Sequence, residues 1–168
     1  MKCIGLDPGK LGFLVELDSE LKRARTIQLP FRPDGILCLK TIQKHFNLKE
    51  SNAIIMEKIS PQPVWSAISC MTFGRIIGQL EALFSPYPFQ QISPKIWQKM
   101  MHVGLSDSMK PKEKSLAIFH RLNPDYPQQK KIVDHNLADA YLLAEYGLRS
   151  NNIMITGWTF DHIDNKKG

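Results

Sequence analysis

Three acids stand where the sequence is otherwise apolar. Asp7 ends the run Cys3-Ile4-Gly5-Leu6, Glu57 ends Ala53-Ile54-Ile55-Met56, and Asp139 interrupts "NLADAYLLAEY" between two alanines. An acid on a buried face is costly unless it is paired or binds a metal. Each has a plainer reading. Asp7 could cap the turn after a strand, Glu57 could pair with Lys58 or Lys95, and Asp139 could lie on a helix surface. Three such coincidences in one chain point instead to a shared site. Converging carboxylates would raise one another's pKa without a cation. A divalent ion removes that conflict, and oxygen-only donors suit Mg²⁺ or Mn²⁺.

A fourth group is expected just upstream of Asp139, where the chain reads "DHN" at 134–136. His135 lies four residues before Asp139 and shares its helical face. Asp134 lies five before; on an ideal helix it points away, but as a non-helical N-cap it can turn inward. The carboxylate suits Mg²⁺ better, and the histidine suits the geometry. His135 could instead act as general base or leaving-group acid, because imidazole titrates near neutral pH. Both stay open, as does a plain capping role for Asp134.

These groups need elements to hold them. Apolar runs bounded by turn residues predict strands over 2–6, 12–17 and 24–29, a hairpin-linked meander. Helical spacing of Ile36, Leu39, Ile42 and Phe46 predicts a helix over 35–46, with Asp34 as its N-cap. A wholly apolar strand follows over 53–56, then a long helix over 66–84 and a fifth strand over 89–92. Helices over 94–100, 113–121 and 134–148 complete the chain, leaving 151–168 as a loosely held tail. This order fits an α/β mixed sheet of five strands with helices on both faces. A right-handed crossover makes the first and fourth strands parallel. Asp7 and Glu57 would then lie at their carboxyl ends, where open α/β sheets place ligands.

The 168 residues suffice for one domain with a real core, and 43% hydrophobic with 23% charged residues is ordinary globular composition. No apolar run reaches the roughly 20 residues of a membrane helix, and no cleavable signal pattern precedes the first strand. We therefore expect no membrane partner. Three cysteines far apart, with no CxxC, are read as reduced thiols in a cytoplasm-like compartment. The net charge of +6 and pI of about 9.3 suit a polyanionic partner.

The segments "GLDPGKLG", "IIMEKI", "MTFGRIIGQLEALF", "ISPKIWQK" and "DHNLADAYLLAEYG", in this order and spacing, resemble the RuvC-type Holliday-junction resolvases of the RNase H-like, retroviral-integrase superfamily. The phage and organellar branch is the most similar. The resemblance runs from residue 1 to 149. It implies an RNase H-like nuclease domain over 1–150 and a homodimer with two active sites, which nick opposing strands of a four-way DNA junction. It implies Asp7, Glu57 and Asp139 as ligands, with a residue from "DHN", for two Mg²⁺ per site, Mn²⁺ substituting. Two ions about 4 Å apart activate water and stabilise the departing oxygen in such sites. Family members place the fourth ligand three or four residues before the last acid, and here Asn136 and His135 occupy those positions. A cytoplasmic, nucleoid-associated location, or its equivalent, follows from the same resemblance.

Phosphates need cations. Lys10, Lys58, Lys95, Lys99, Lys110, Lys112, Lys114, Lys130 and Lys131 lie near or between these segments, and phosphate contacts of this kind position a junction without reading its sequence. Trp65, in the loop after Glu57, could stack at the open centre of a junction or pack on the long helix. Phe73, Ile76, Ile77, Leu80 and Leu83, with Gly74 and Gly78, could form a dimer seam or belong to the core. Three rivals are weighed. An actin-like ATPase normally needs two such domains, and no Walker A sequence is present. A related nuclease of RNA-containing or other branched substrates shares the chemistry. A non-catalytic DNA-binding module would have no need of the three acids.

Overall fold

The computed structural model describes residues 1–126 and 134–164. Its first strand, β1 (Lys2–Leu6), pairs antiparallel with β2 (Phe13–Asp18), which pairs antiparallel with β3 (Arg23–Gln28). Helix α1 (Leu39–His45) and a 3-10 turn (Leu48–Glu50) carry the chain to β4 (Ala53–Glu57), which lies parallel beside β1. Helix α2 (Ala67–Phe84) crosses over to β5 (Phe89–Ile92), parallel to β4. Helices α3 (Pro94–Met101), α4 (Pro111–Leu122) and α5 (His135–Arg149) follow.

Among the described residues the sheet has six strands where the sequence predicts five, in the order β5-β4-β1-β2-β3-β6. The extra strand, β6 (Thr159–His162), pairs parallel with β3 inside the segment expected to be a loose tail. Its anchors are side chains. Phe160 lies within 6.0 Å, ring to ring, of Phe119, Tyr126 and Tyr141. His162 bridges Thr26 Oγ1 and the Tyr126 hydroxyl, and Asp161 pairs with Arg23. The segment "DHID" at 161–164 is thus tied into the sheet edge.

Helix α1 also differs from expectation. It begins at Leu39 with Cys38 as N-cap. Residues 32–35 form a turn instead, with Gly35 at φ 75° and the Asp34 carboxylate accepting from the Ile36 amide at 3.1 Å, and Leu37 then bridges to Phe31. Positive φ costs glycine nothing, so the chain turns there before the helix starts.

Both sheet faces are covered, so the central strands are apolar on both sides. Ile4, Leu6, Ile54 and Met56 pack on the side of α1 and α2. Cys3, Val15, Leu17, Ile55 and Ile92 pack with α5 and with Trp97, Phe119 and Leu122 of α3 and α4. Cys3, Cys38 and Cys70 are free thiols. Among the described residues, no helix is long and apolar enough to cross a membrane.

Helix α5 lies almost in contact with the backbone of β1. A Cβ built on Gly5 would stand 2.0 Å from the Ala140 carbonyl oxygen and 2.3 Å from the Ala144 nitrogen. A Cβ on Gly147 would meet Cys3 Sγ at 3.1 Å. The small residues 140, 144 and 147 therefore form the contact stripe. They also fix direction: later helix residues sit over earlier strand residues, so α5 runs antiparallel to β1. Its first turn overhangs the carboxyl end of the strand. We expect Gly5→Ala to lift the helix off the sheet and cost about 1–3 kcal/mol, the usual scale of overpacking. A urea melt checks this, and an unchanged midpoint would refute it.

Candidate active site

Strand parity places the first two acids. Side chains alternate between faces along a strand, so Asp7 follows Cys3 and Gly5 onto the α5 face. Glu57 follows Ala53 and Ile55 onto the same face. The parallel register pairs Leu6 with Met56, and one residue further it sets Asp7 beside Glu57. Helix α5 brings the third. Asp139 adjoins Ala140, which covers Gly5, so the second turn of α5 carries the acid toward the end of β1 where Asp7 stands. All three acids are half-buried.

Burial and proximity perturb all three. Burial, then the Asp139 and Asp134 charges, raise the Asp7 carboxyl to about 7, with Lys112 opposing. Burial, then Asp7 and Asp139, raise Glu57 to about 8. Asp139 is raised by burial, while a hydrogen bond from Ser115 and the charge of Lys112 hold it down. Among the described residues, its Oδ1 is buried without a hydrogen-bond partner. Among the described residues, no group of three or more His, Cys, Asp or Glu side chains stands close enough to hold a metal ion as the side chains are placed. The donor chemistry nevertheless suits a hard divalent cation: the acids are all-oxygen donors, mutually destabilised, with one buried oxygen unpartnered.

The two candidates for the fourth group divide the work. Asp134 is the N-cap of α5, its Oδ1 accepting from the Asn136 amide at 3.0 Å. His135 is held between neighbours, its Nε2 2.8 Å from Lys112 Nζ and its Nδ1 3.4 Å from Asp134 Oδ1. An ammonium only donates, so Nε2 accepts and a neutral ring carries its proton on Nδ1, toward Asp134. Asp134 remains charge-coupled to Asp7 and Asp139.

The lysine cluster splits. Lys112 reaches His135 and acts on both Asp7 and Asp139, so it belongs to the site itself. Lys110 is the exposed N-cap of α4, its amide donating to Glu113 at 3.0 Å. Lys114 joins Lys95, Lys99 and His102 around a cleft of about 350 Å³ between α3 and α4. Lys58 is exposed beside Glu57, and Lys10 lines a different cleft, near Arg75. Trp65 stacks on Phe73 of α2, ring centroids 4.8 Å apart. Lys130 and Lys131 lie outside the described residues.

Sequence reasoning missed Ser115 and His102. Ser115 is fully buried, its hydroxyl facing the Asp139 carboxylate and lying 3.2 Å from His102 Nε2. The serine hydroxyl thus stands between the Asp139 carboxylate and the His102 ring. The signal was available: Ser115 shares the spacing of buried Ile118, Phe119 and Leu122, and a serine on an apolar face needs a partner. We expect Ser115→Ala to weaken Mn²⁺ binding by about 10–100-fold, the range for groups that orient a ligand. Calorimetric titration checks this, and unchanged binding would refute it.

No protein-family model matches the chain, and no curated protein matches its sequence. The solved structures similar to it include two of one protein. Thermus thermophilus RuvC in complex with a Holliday junction substrate superposes with a TM-score of 0.56 at 12% identity, over 95% of this chain and 100% of that one. A second T. thermophilus RuvC structure gives 0.54 at 17% identity, over 90% and 97%. The chain is a mixed α/β protein with the RNase H-like fold of RuvC, and in that fold it resembles the RuvC-type Holliday-junction resolvases.

Proposed function

We propose that the protein is a metal-dependent endonuclease that resolves four-way DNA junctions by paired nicks, leaving 5′-phosphates. What supports this reading is that Asp7 and Glu57 follow two parallel neighbouring strands at their carboxyl ends and are coupled by charge to each other and to Asp139 of α5. The likeness to a RuvC structure in complex with a Holliday junction substrate adds the substrate class.

Asp7, Glu57 and Asp139, with Asp134, would hold two Mg²⁺, or Mn²⁺ in their place. When bound, the ions supply Lewis acidity to the scissile phosphate and positive charge that lets the acids ionise. The remaining roles fall to the chain's own groups. Lys112 holds His135 at the lip of the site and sets a positive charge beside Asp7 and Asp139. Ser115 holds the Asp139 carboxylate. The N-terminus of α5 adds the positive end of its dipole where an anionic backbone would arrive. Lys58, Lys95, Lys99, Lys110 and Lys114 neutralise flanking phosphates.

A homodimer gives the two sites that paired nicking needs. Helix α2 offers its surface: Ile68 is 78% and Met71 75% exposed, and a Cβ on Gly74 or Gly78 would meet nothing. Such a face lets two helices approach closely. Trp65, braced by Phe73, would present its ring near the junction centre.

Incubation with a labelled four-way junction, a linear duplex and an RNA–DNA hybrid, with and without Mg²⁺, tests this. We expect symmetric nicks in the junction alone, sealed by ligase because the ends are 5′-phosphate and 3′-hydroxyl. Preferential cutting of the hybrid would replace junction resolution with a related RNA-directed nuclease. Tight binding without cutting would leave a non-catalytic module.

A further inference from the structure

We propose that Lys10, Arg32 and Arg75 form a second phosphate-binding groove, on the opposite sheet face from the α3–α4 lysines, which holds a DNA backbone after it has crossed the acids. The inference rests on the nuclease reading above and deepens it by assigning the path of the strand.

The groove is a cleft of about 350 Å³ between the β3–α1 connection and α2. Its cations are Lys10, Arg32 and Arg75, and among the described residues no acidic side chain lines it. Arg75 is fixed by donating from Nη2 to the Gly35 carbonyl at 3.3 Å. That carbonyl is presented by the positive-φ turn that delays the start of α1. Among the described residues, neither Lys10 nor Arg75 forms an ion pair. Arg32 does pair with Asp34. Both partners are exposed, and such a pair is weak enough to yield to a phosphate.

Position assigns the ligand. Lys10 stands three residues after Asp7, in the turn that leaves β1. The groove's floor includes Ile76 and Phe31, which pack on the α1–α2 side of the sheet. The Lys95–Lys99–Lys114 cleft belongs to the α5 side, where α3 and α4 pack. The acids therefore lie between two basic clefts, one from each face. A polyanion bound to both must run across the strand ends, over Asp7 and Glu57. A compact anion such as a nucleotide would gain from one cleft alone.

Binding of a fluorescent four-way junction, measured by anisotropy in EDTA from 50 to 300 mM KCl, tests this without cleavage. Every phosphate that the protein no longer neutralises lowers the slope of log affinity against log salt by about 0.9. We expect R32Q/R75Q to lower it by about one to two and to weaken low-salt binding by about tenfold. R75K should keep the wild-type slope. If R32Q/R75Q does not fold, R75Q alone should lower the slope by about one unit. Wild-type affinity and slope in the glutamine variants would overturn the groove and leave the nuclease reading standing. Failure of the wild-type protein to bind the junction would overturn both.

Discussion

Asp7→Asn will leave the protein folded and abolish cleavage. The substitution removes one of the adjoining carboxylates at the ends of β1 and β4 while keeping the side chain's size. The loss should be about a thousandfold or more, the scale seen when one preorganised electrostatic group is deleted. Folding is spared because Asp7 holds nothing together. Its carboxyl is raised to about 7 by burial and by Asp139 and Asp134, so its ionised form opposes the fold. The readout is single-turnover cleavage of a four-way junction beside a thermal melt. A variant that melts normally and still cuts within tenfold of wild type would remove Asp7 from the chemistry.

The second large effect is a stability that falls as pH rises. Asp7 goes from an ordinary 3.8 to about 7 on folding, and Glu57 from 4.5 to about 8. Both folded values are higher than the unfolded ones, so the folded chain takes up protons. The contribution of these groups is then best below about pH 4 and is lost as pH climbs through 7 and 8. Each tenfold change in proton affinity is worth about 1.4 kcal/mol. Because the two acids act on each other, the pair together is worth on the order of 5 kcal/mol. In EDTA, the wild-type melting temperature should drop between pH 5 and pH 8.5 more steeply than that of D7N/E57Q. The double variant should be the more stable protein at pH 8.5. Mn²⁺ should restore the wild type and do little for the variant, since only a ligand with preference for the folded site shifts the balance. Parallel pH curves for the two proteins would sink this account.

The acids were legible in the sequence because their contexts are anomalous. Asp7 and Glu57 break apolar strands at the same relative position, so parallel pairing brings them together without further information. Asp139 sits among alanines, and those alanines let α5 approach Gly5 closely enough to deliver it. The fourth group was less legible, because its role depends on neighbours from α4. Lys112 draws His135 aside, and the Asn136 amide engages Asp134. Neither interaction leaves a local pattern. The sixth strand was illegible for a related reason. Thr159–His162 is short and polar, with one aromatic residue, and becomes a strand through Phe160 and His162 packing against α4, α5 and β3. The early start expected for α1 failed because Asp34 and Gly35 serve a turn as readily as a helix cap.

The docking of β6 bears on how the molecule can be trimmed. Cutting the chain after residue 150 looks harmless from the position of the acids. It would strip the partner from β3 and leave Lys22 and Thr26 carbonyls, now engaged by the Thr159 and Ile163 amides, as bare acceptors. It would also uncover the rings around Phe119. An open, flat border of this kind invites pairing between molecules. A chain shortened in this way should therefore clump on heating and in light scattering while the 168-residue chain does not, so the polar strand β6 works as a guard against self-association.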